Sequence, residues 1–421
     1  MPDVVTNAEV ARAPWSPWRA VVGFGVVSLS ADMVYEGARS ITGPLLASLG
    51  ASAVLVGLVT GVGEAMALLL RLVSGRWADR SGRYWSLTIV GYGITAVCVP
   101  ALAITPFLGG TGLAVACALV LAERTGKAVR SPAKTALLAH AAGGVGLGRG
   151  FAVHKALDQT GAVAGPLLVA AVAALAGTLW PALAVLVVPG VAALVVLAWI
   201  RRRTGSPDTE PESRPVRPEG GPATRRTGWW RTDHRLPTAF WLFAAAAGAA
   251  TAGLITFGVI SFHLAREHVV PVATIPLVYA AAMAAEALAA LATGWVYDRV
   301  QGRVLLVLPF LVAAVPPLAL TRSVVVVLVG VLLWGAAMGV QDSTVKALVA
   351  DLVPTPTRAT AYGMFAAVQG GAAVLGGVLA GSLYERSLPA LVGVVAGTQL
   401  VALVLLVVTL RHVRRARVEA P

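Results

Sequence analysis

The chain of 421 residues is 57% hydrophobic, only 13% charged, and has a mean hydropathy of +0.79. This composition excludes an ordinary soluble globular protein, in which about a quarter of the residues are charged. The formal net charge of +13 would suit nucleic acid binding, but the arginines gather in alternate loops between apolar segments. That placement is typical of membrane proteins, whose cytoplasmic loops are rich in arginine and lysine. We therefore expect a multi-pass protein of the lipid bilayer and no nucleic acid partner.

A helix that spans a bilayer needs ~20 predominantly apolar residues, and about twelve such segments are predicted. The first six cover about 18–47, 54–77, 85–108, 110–139, 148–176 and 180–200. The second six cover about 237–264, 272–297, 302–320, 323–352, 357–384 and 388–410.

The segment 201–235 is rich in proline, glycine and charge, so it cannot span a membrane and is predicted to be a basic linker. It divides the chain into a first six-helix bundle, 1–200, and a second bundle with a short basic tail, 236–421. The loop charges predict cytoplasmic termini and a cytoplasmic linker. No cleaved signal peptide is expected, because the first ~19 residues lack an apolar core. Cys98 and Cys117 lie inside apolar runs, and no disulfide framework is indicated.

Two polar segments between apolar runs share a pattern. Residues 75–84 read GRWADRSGRY and residues 294–303 read GWVYDRVQGR, with one extra residue after the Asp-Arg pair in the second copy. The bundles also repeat elsewhere, since 131–168 can be laid on 342–379 without a gap. The positions shared by the polar segments are Gly75, Asp79, Arg80, Gly82 and Arg83 in the first and Gly294, Asp298, Arg299, Gly302 and Arg303 in the second.

The pattern G-x-x-x-D-R-x-G-R resembles the loop between helices two and three of the major facilitator superfamily, which recurs there between helices eight and nine. The resemblance implies an all-α membrane protein with twelve transmembrane helices, arranged as two pseudo-symmetric six-helix bundles. It also implies that the shared loop residues form a conformational gate, in which the aspartate matching Asp79 latches the cytoplasmic side onto arginines and the positive end of helix eleven. The latch partner is open, because Arg124 and Arg130 match the family's helix-four motif only in part.

Ionisable residues inside membrane helices are costly and are therefore candidates for function. The first predicted helix contains Asp32, Glu36 and Arg39, with the two acids four residues apart on one face. Asp32 lies farther from the arginine, which would stabilise the charged form of Glu36, so Asp32 is the better candidate for a proton carrier. The alternative is a structural ion pair that fixes this helix.

The fourth and fifth predicted helices are unusually rich in charge, and lysine is confined to helices four, five and ten while arginine fills the loops. A compact ammonium inside the bundle suggests contact with an anionic group or with an aspartate, although chance placement and snorkelling are alternatives. The candidates for the substrate cavity are Arg39, Glu123, Lys127, Arg130, Lys134, His154, Lys155, Asp342 and Lys346, and those for proton coupling are Asp32, Glu36, Asp158, Glu64 and Glu286.

Three features of these helices leave alternatives open. Glu286 is a lone acid that could form a helix–helix hydrogen bond instead of a site. Glu64 has a possible partner in Arg71, two turns away. The segment GAVAGP at 161–166 partly matches a glycine-rich motif of proton antiporters, but it could equally permit close helix packing.

The favoured function is a proton-coupled transporter of the inner or plasma membrane that exports a small organic molecule by alternating access. The basic residues of helices four and five favour an anionic or zwitterionic substrate. The alternatives are a proton-coupled uptake symporter and a transport-inactive scaffold or sensor. A monomer is expected. Without a visible nucleophile–base pair, metal cluster or phosphate loop, we expect no enzyme activity, metal or cofactor.

Overall fold

The structure is a computed structural model that describes residues 15–204, 236–353 and 357–419. The linker predicted at 201–235 lies outside the described residues from 205 onward. The described residues form α-helices with short 3-10 segments and no strand. The first half contains α1 (Pro17–Ser48), α2 (Ala53–Ser81), α3 (Tyr84–Ala101), α4 (Gly112–Ala142), α5 (Leu147–Ala176), α6 (Leu179–Ala184) and α7 (Val187–Arg203). The second half contains α8 (Thr238–Gly253), α9 (Phe257–Arg266), α10 (Ile275–Val300), α11 (Leu308–Ala319), α12 (Val324–Leu352), α13 (Arg358–Arg386) and α14 (Leu388–Glu419).

Ten stretches of the described residues are long and apolar enough to cross a membrane. One of them, Val272–Ala319, contains two helices, α10 and α11, joined by a 3-10 segment. The charged helix α4 is not among the ten, although it is as long as its neighbours. The prediction of an all-helical membrane protein is confirmed, and the count of twelve spans remains a prediction.

The doubled polar segments are mostly helical, which corrects the expectation of two loops. Helix α2 continues to Ser81, and the turn is made by Gly82, whose φ of 65° is the left-handed conformation that glycine adopts readily. Helix α10 continues to Val300, and there Gln301, at φ 51°, takes the corresponding place. The structure therefore matches Gly82 with Gln301, whereas the sequence alignment had matched it with Gly302.

The helices of the two halves pack in corresponding pairs. Helix α4 packs on α2 and α3, as α12 packs on α10 and α11, and α1 packs on α7 as α8 packs on α14. Between the halves, α2 lies against α13, α1 against α9, and α5 against α10. The candidate charged residues lie mainly on α1, α4, α5 and α10, of which α1, α5 and α10 make contacts between the halves.

The contacts between the halves are tightest at one end of the molecule. Near that end, methyl groups added at Gly57 or Gly377 would collide with the other's carbonyl oxygen, and Glu385 of α13 accepts a hydrogen bond from the Ala53 amide at 2.6 Å. Toward the other end the same two helices approach less closely, since a methyl group at Gly363 would be in ordinary van der Waals contact with the Leu72 side chain, at 3.7 Å. We call the first the closed end and the second, which carries the turn at Gly82, the arginine-rich end.

Helices α8 and α9 follow one another across a break in the middle of the bundle. Residues 254–256 are not helical, and Thr256 has an extended backbone (φ −73°, ψ 151°). The indole nitrogen of Trp334 donates to the Ile255 carbonyl at 2.8 Å, which satisfies a backbone group that the break leaves free. The break thus exposes the N-terminal end of α9 to the interface between the halves.

Candidate functional site

The charged residues of the first half meet in two neighbouring clusters. The arginine–glutamate cluster comprises Glu36, Arg39, Glu64, Glu123 and Arg124, and the aspartate–lysine cluster comprises Asp32, Lys134, Lys155 and Asp158 with Ser28. Helices α1, α2 and α4 supply the first cluster, whereas α1, α4 and α5 supply the second. Charges buried in a membrane protein need such partners, because an isolated charge in a low-dielectric medium is costly.

Arg39 contacts two acids of the arginine–glutamate cluster. Its Nη2 donates to Glu64 Oε1 at 2.8 Å, and its Nη1 lies 3.8 Å from Glu36 Oε2. Arg124 Nη1 is 3.7 Å from the same Glu64 oxygen. The suggested pairing of Glu64 with Arg71 is wrong, since the ion pairs of Glu64 are with these two arginines. The Nε of Arg71 has no acceptor among the described residues.

Glu123 and Arg130 are joined through a threonine. The Thr95 hydroxyl lies 3.4 Å from Glu123 Oε1 and accepts a hydrogen bond of 2.6 Å from Arg130 Nη1. The guanidinium of Arg130 also lies 4.7 Å from the centroid of the Tyr92 ring. Arg130 therefore points into the first half, toward α3, and not toward the second half as a cavity-lining residue would.

The aromatic ring of Tyr35 lies against two cations of α4. The ammonium of Lys127 lies 3.4 Å from the ring centroid, and the guanidinium of Arg124 lies 4.6 Å from it. An aromatic face attracts cations, more so where water is excluded. The ring thus holds Lys127 near Asp32 and Glu36 of α1.

The aspartate–lysine cluster is built around two carboxyl groups. The carboxyl groups of Asp32 and Asp158 lie close enough to interact between α1 and α5. Ser28 Oγ donates to Asp158 Oδ1 at 2.6 Å, Lys155 lies 3.0 Å from Asp158 Oδ2, and Lys134 donates to Ser28 Oγ at 3.1 Å. Two ionised carboxylates side by side repel each other, so one proton held between them stabilises the pair. The cluster can therefore hold a proton between α1 and α5.

A tyrosine of the second half reaches the first cluster. The hydroxyl of Tyr279 on α10 donates to Glu36 Oε2 at 2.5 Å, and the Tyr279 side chain is fully buried. Phe257 packs against its ring with centroids 4.4 Å apart. Nothing in the sequence analysis singled out Tyr279, Tyr35 or Thr95. For Tyr279, the feature that could have drawn attention is a tyrosine in the otherwise alanine-rich start of α10.

The remaining candidates do not join these clusters. His154 is buried, and its Nε2 has no hydrogen-bond partner in the described part of the chain. Glu286 on α10 is half-buried and Asp342 on α12 is exposed. Lys346 belongs to α12, but its side chain lies outside what the structure describes. Among described residues no group of three or more His, Cys, Asp or Glu is arranged to hold a metal ion.

The glycines of GAVAGP serve helix packing. Methyl groups added at Gly161 or Gly165 of α5 would collide with the Leu29 or Met33 carbonyl oxygen of α1. This close approach brings Asp158 beside Asp32. The packing alternative raised from the sequence is thus the one that the contacts support.

The charged residues of the two polar segments, such as Asp79 and Arg299, are exposed at the arginine-rich end, whereas Gly302 is buried. Asp79 accepts a hydrogen bond from the Tyr84 hydroxyl at 3.2 Å, and no ion pair of Asp79 is present among the described residues. Arg299 stacks on Trp295, with its guanidinium 3.3 Å from the ring centroid. The latch role that the family resemblance implies for Asp79 stays a prediction.

Polar and charged side chains lie at the closed end. His263 Nδ1 lies 2.9 Å from the Tyr384 hydroxyl, which joins α9 to α13. Just beyond α9, Glu267 accepts a hydrogen bond of 2.7 Å from Arg322, which holds the pKa of Glu267 below its usual range. This pair is solvent-exposed, so its contribution to stability is small.

Comparison with known proteins identifies the family. A model described as Major Facilitator Superfamily matches residues 24–264 and 242–421. Uncharacterized proteins of Mycobacterium tuberculosis and Mycobacterium bovis are 53% identical over 403 residues, which cover 96% of this chain and 95% of each relative.

Solved structures share the fold at low identity. A mutant of the nucleoside transporter NupG aligns with a TM-score of 0.72 at 13% identity, covering 93% of this chain and 99% of that chain. A POT family transporter in complex with a thioalcohol-conjugated peptide aligns at 0.71 and 12%, covering 94% and 96%. An inward-facing bacterial homologue of the human lysosomal transporter Spinster aligns at 0.63 and 17%, covering 94% and 96%.

Proposed function

Since the chain belongs to the major facilitator superfamily of membrane transporters, we propose that it is a proton-coupled exporter of a small organic molecule, with Asp32 and Asp158 as the proton site. The observation that carries the proposal is the proximity of these two carboxyl groups between α1 and α5, where repulsion between two ionised carboxylates favours the binding of one shared proton. Both helices contact the second half, α1 through α9 and α5 through α10. Proton binding can therefore be linked to the movement of one half against the other.

The surrounding cations explain how the pair could release its proton. Loss of the shared proton leaves a second negative charge next to Lys155 and close to Lys134, which is held through Ser28. Attraction to these ammonium groups stabilises the deprotonated pair. Proton release thus changes the net charge of the aspartate–lysine cluster by one unit. We propose that this change of charge alters the affinity for the substrate.

The lysines of α4 and α5 favour an anionic or zwitterionic substrate. Lys127 and Lys155 extend from α4 and α5, and the side chain of Lys155 is 65% exposed. The acids of the second half, Glu286 and Asp342, lie on α10 and α12. A zwitterion could place its anionic group toward the first half and its cationic group toward the second.

The halves approach most closely, at Gly57 and Gly377, at the end opposite the arginine-rich turns. The charge distribution predicts that those turns are cytoplasmic, so this close approach would lie toward the far side of the membrane. Export is proposed from the partial likeness of Gly161, Gly165 and Pro166 to the antiporter motif, in which the two glycines also serve the packing of α5 on α1. Evidence of uptake would replace export as the proposed direction of transport.

A resistance screen tests the proposal. An efflux-deficient bacterial host would express wild type, Asp32→Asn, Asp158→Asn or the control Glu267→Gln, which neutralises an acid outside both clusters and both polar segments. Growth would be measured against antibiotics, dyes and toxic metabolites, with protein levels matched. We expect resistance to a compound class in wild type and the control, and its loss in both cluster variants.

Transport in proteoliposomes with an imposed pH gradient would follow, using a compound found by the screen. The proposal fails if Asp32→Asn and Asp158→Asn transport at wild-type rates and still respond to the gradient. Accumulation of the compound in cells, lost in Asp32→Asn, would replace export by uptake.

A further inference from the structure

A small polar cavity lies between the halves at the break between α8 and α9. Its walls include Arg39, Thr60, Glu64, Arg124, Thr256 and Gly258, and it leaves about 10 Å³ for the centre of a water-sized particle. A cavity of that size holds one small particle. It is separate from the aspartate–lysine cluster, whose residues do not line it.

Arg124 supplies unpaired hydrogen-bond donors to this cavity. The residue is only 5% exposed, yet its Nε and Nη1 meet no hydrogen-bond acceptor among the described residues. Its nearest carboxylates, Glu64 and Glu123, are 3.7 and 3.8 Å away, which is too long for a hydrogen bond. Leaving such donors buried and unpaired is costly, more so for a charged group.

The N-terminal end of α9 faces the same cavity. Thr256, the residue before α9, makes no side-chain cap to the helix, and its hydroxyl lies 2.8 Å from that of Thr60. The first amides of a helix have no acceptor within it and carry the positive end of the helix dipole. Helix breaks of this kind at the bilayer midplane bind anionic groups in other transporters.

The charges that line the cavity do not balance. Arg39 and Arg124 contribute two positive charges against the single carboxylate of Glu64. Glu36 and Glu123 lie 3.8 Å from Arg39 and Arg124 but do not line the cavity. The groups that border the cavity are therefore more positive than negative, and the N-terminal end of α9 adds to this.

We propose that this cavity binds one small monovalent anion, either a halide or a single carboxylate group, between Arg124 and the N-terminal end of α9. The hydroxyl group of Thr256, which here lies 2.8 Å from that of Thr60, would donate to it. Because α1, α2 and α4 come from one half and α9 from the other, the bound anion would tie the halves together. It would stabilise the conformation that is closed at this end.

Thermal unfolding of the full chain in lipid nanodiscs tests the site. Sodium chloride and sodium formate would each be titrated against sodium gluconate, an anion too large for the cavity, at constant ionic strength. We expect the melting temperature of wild type to rise with chloride or formate in a saturable way. A rise with chloride indicates a resident inorganic anion, and a rise with formate alone indicates the carboxylate of a substrate.

Variants separate this site from other effects of salt. Arg124→Gln should weaken the apparent anion affinity by about tenfold or more, because charge-assisted hydrogen bonds are lost. Thr256→Val should weaken it less, and it remains informative if Arg124→Gln does not fold. Arg266→Gln is the matched control, since Arg266 is a cation at the other end of α9 that does not line this cavity. Its anion response should equal that of wild type.

Two results would overturn the inference. One is a wild-type melting temperature that does not depend on chloride or formate, as when only water fills the cavity. The other is an unchanged anion response in both Arg124→Gln and Thr256→Val. Neither result bears on the proton site, because the assay requires no transport and no pH gradient.

Discussion

Tyr279 of α10 donates a hydrogen bond of 2.5 Å to Glu36 of α1, and so connects a buried acid of the first half to the second half. Glu36 is also 3.8 Å from Arg39, which in turn holds Glu64. The tyrosine thus links the position of α10 to the whole arginine–glutamate cluster. A conformational change that separates the halves at this level must break this hydrogen bond.

Tyr279→Phe should destabilise the observed conformation. Removing a hydrogen bond to a charged group and leaving the acceptor buried costs about 1–3 kcal/mol. We expect a lower melting temperature and a changed transport rate, measured on purified protein and in proteoliposomes.

The matched control is Tyr92→Phe. Tyr92 is equally buried, but its hydroxyl has no hydrogen-bond partner in the described part of the chain, and its ring would still face Arg130. This variant should be neutral or slightly stabilising. Equal losses of stability in both variants would show that the ring environment matters and not the contact with Glu36.

Gly377→Ala should disfavour the closed end. The added methyl group would collide with the Gly57 carbonyl oxygen where α13 crosses α2. Overpacking of this kind costs about 1–3 kcal/mol. We expect the population to shift toward a conformation in which this end is open, detected as faster labelling of a cysteine introduced at Ala53, which is fully buried here.

Gly371→Ala, on the same helix, provides the comparison. A methyl group there meets nothing within 4 Å. It should leave the labelling rate at that of the parent protein. If Gly377→Ala also labels at the parent rate, the crossing of α2 and α13 does not control access at this end.

Asp79→Asn should impair transport without destabilising the observed conformation. Asp79 is exposed here, and it accepts a hydrogen bond from Tyr84. Its latch role, inferred from the family resemblance, would operate only when the arginine-rich end closes. We expect the free energy of unfolding, followed through the melting temperature, to change by no more than about 0.5 kcal/mol. Transport should be slower.

Tyr84→Phe removes the hydrogen bond that Asp79 has in this conformation. Transport by this variant should be unchanged if the latch acts through the other conformation. A transport defect in Tyr84→Phe that matches the defect in Asp79→Asn would instead assign the effect to the contact seen here.

The helices and the charged positions could be predicted from the sequence because both depend on local patterns. Apolar runs of membrane length set the helices, and the cost of burying charge marks residues such as Asp32 and Asp158. The partners could not be predicted, since they depend on how helices distant in the chain pack. Glu64 was assigned to Arg71 by spacing within one helix, but α1 brings Arg39 within 2.8 Å of it.

The uncharged partners were missed for the same reason. Tyr279 and Thr95 look like ordinary residues of apolar helices, and only the packing of α10 on α1 and of α3 on α4 shows that they bind charged groups. The turn at Gly82 gives a different example. The sequence alignment paired Gly82 with Gly302. In the structure, however, the residue that ends α10 as Gly82 ends α2 is Gln301, which also has a positive φ.

The proton shared by Asp32 and Asp158 is most directly tested by infrared spectroscopy of the purified protein in lipid at neutral pH. A protonated carboxyl group has a carbonyl stretch, distinct from that of a carboxylate, that shifts in heavy water. We expect wild type and the Glu267→Gln control to show this band, and both Asp32→Asn and Asp158→Asn to lose the same component. A band that persists unchanged in both cluster variants would contradict the shared proton and, with it, the proposed site of coupling.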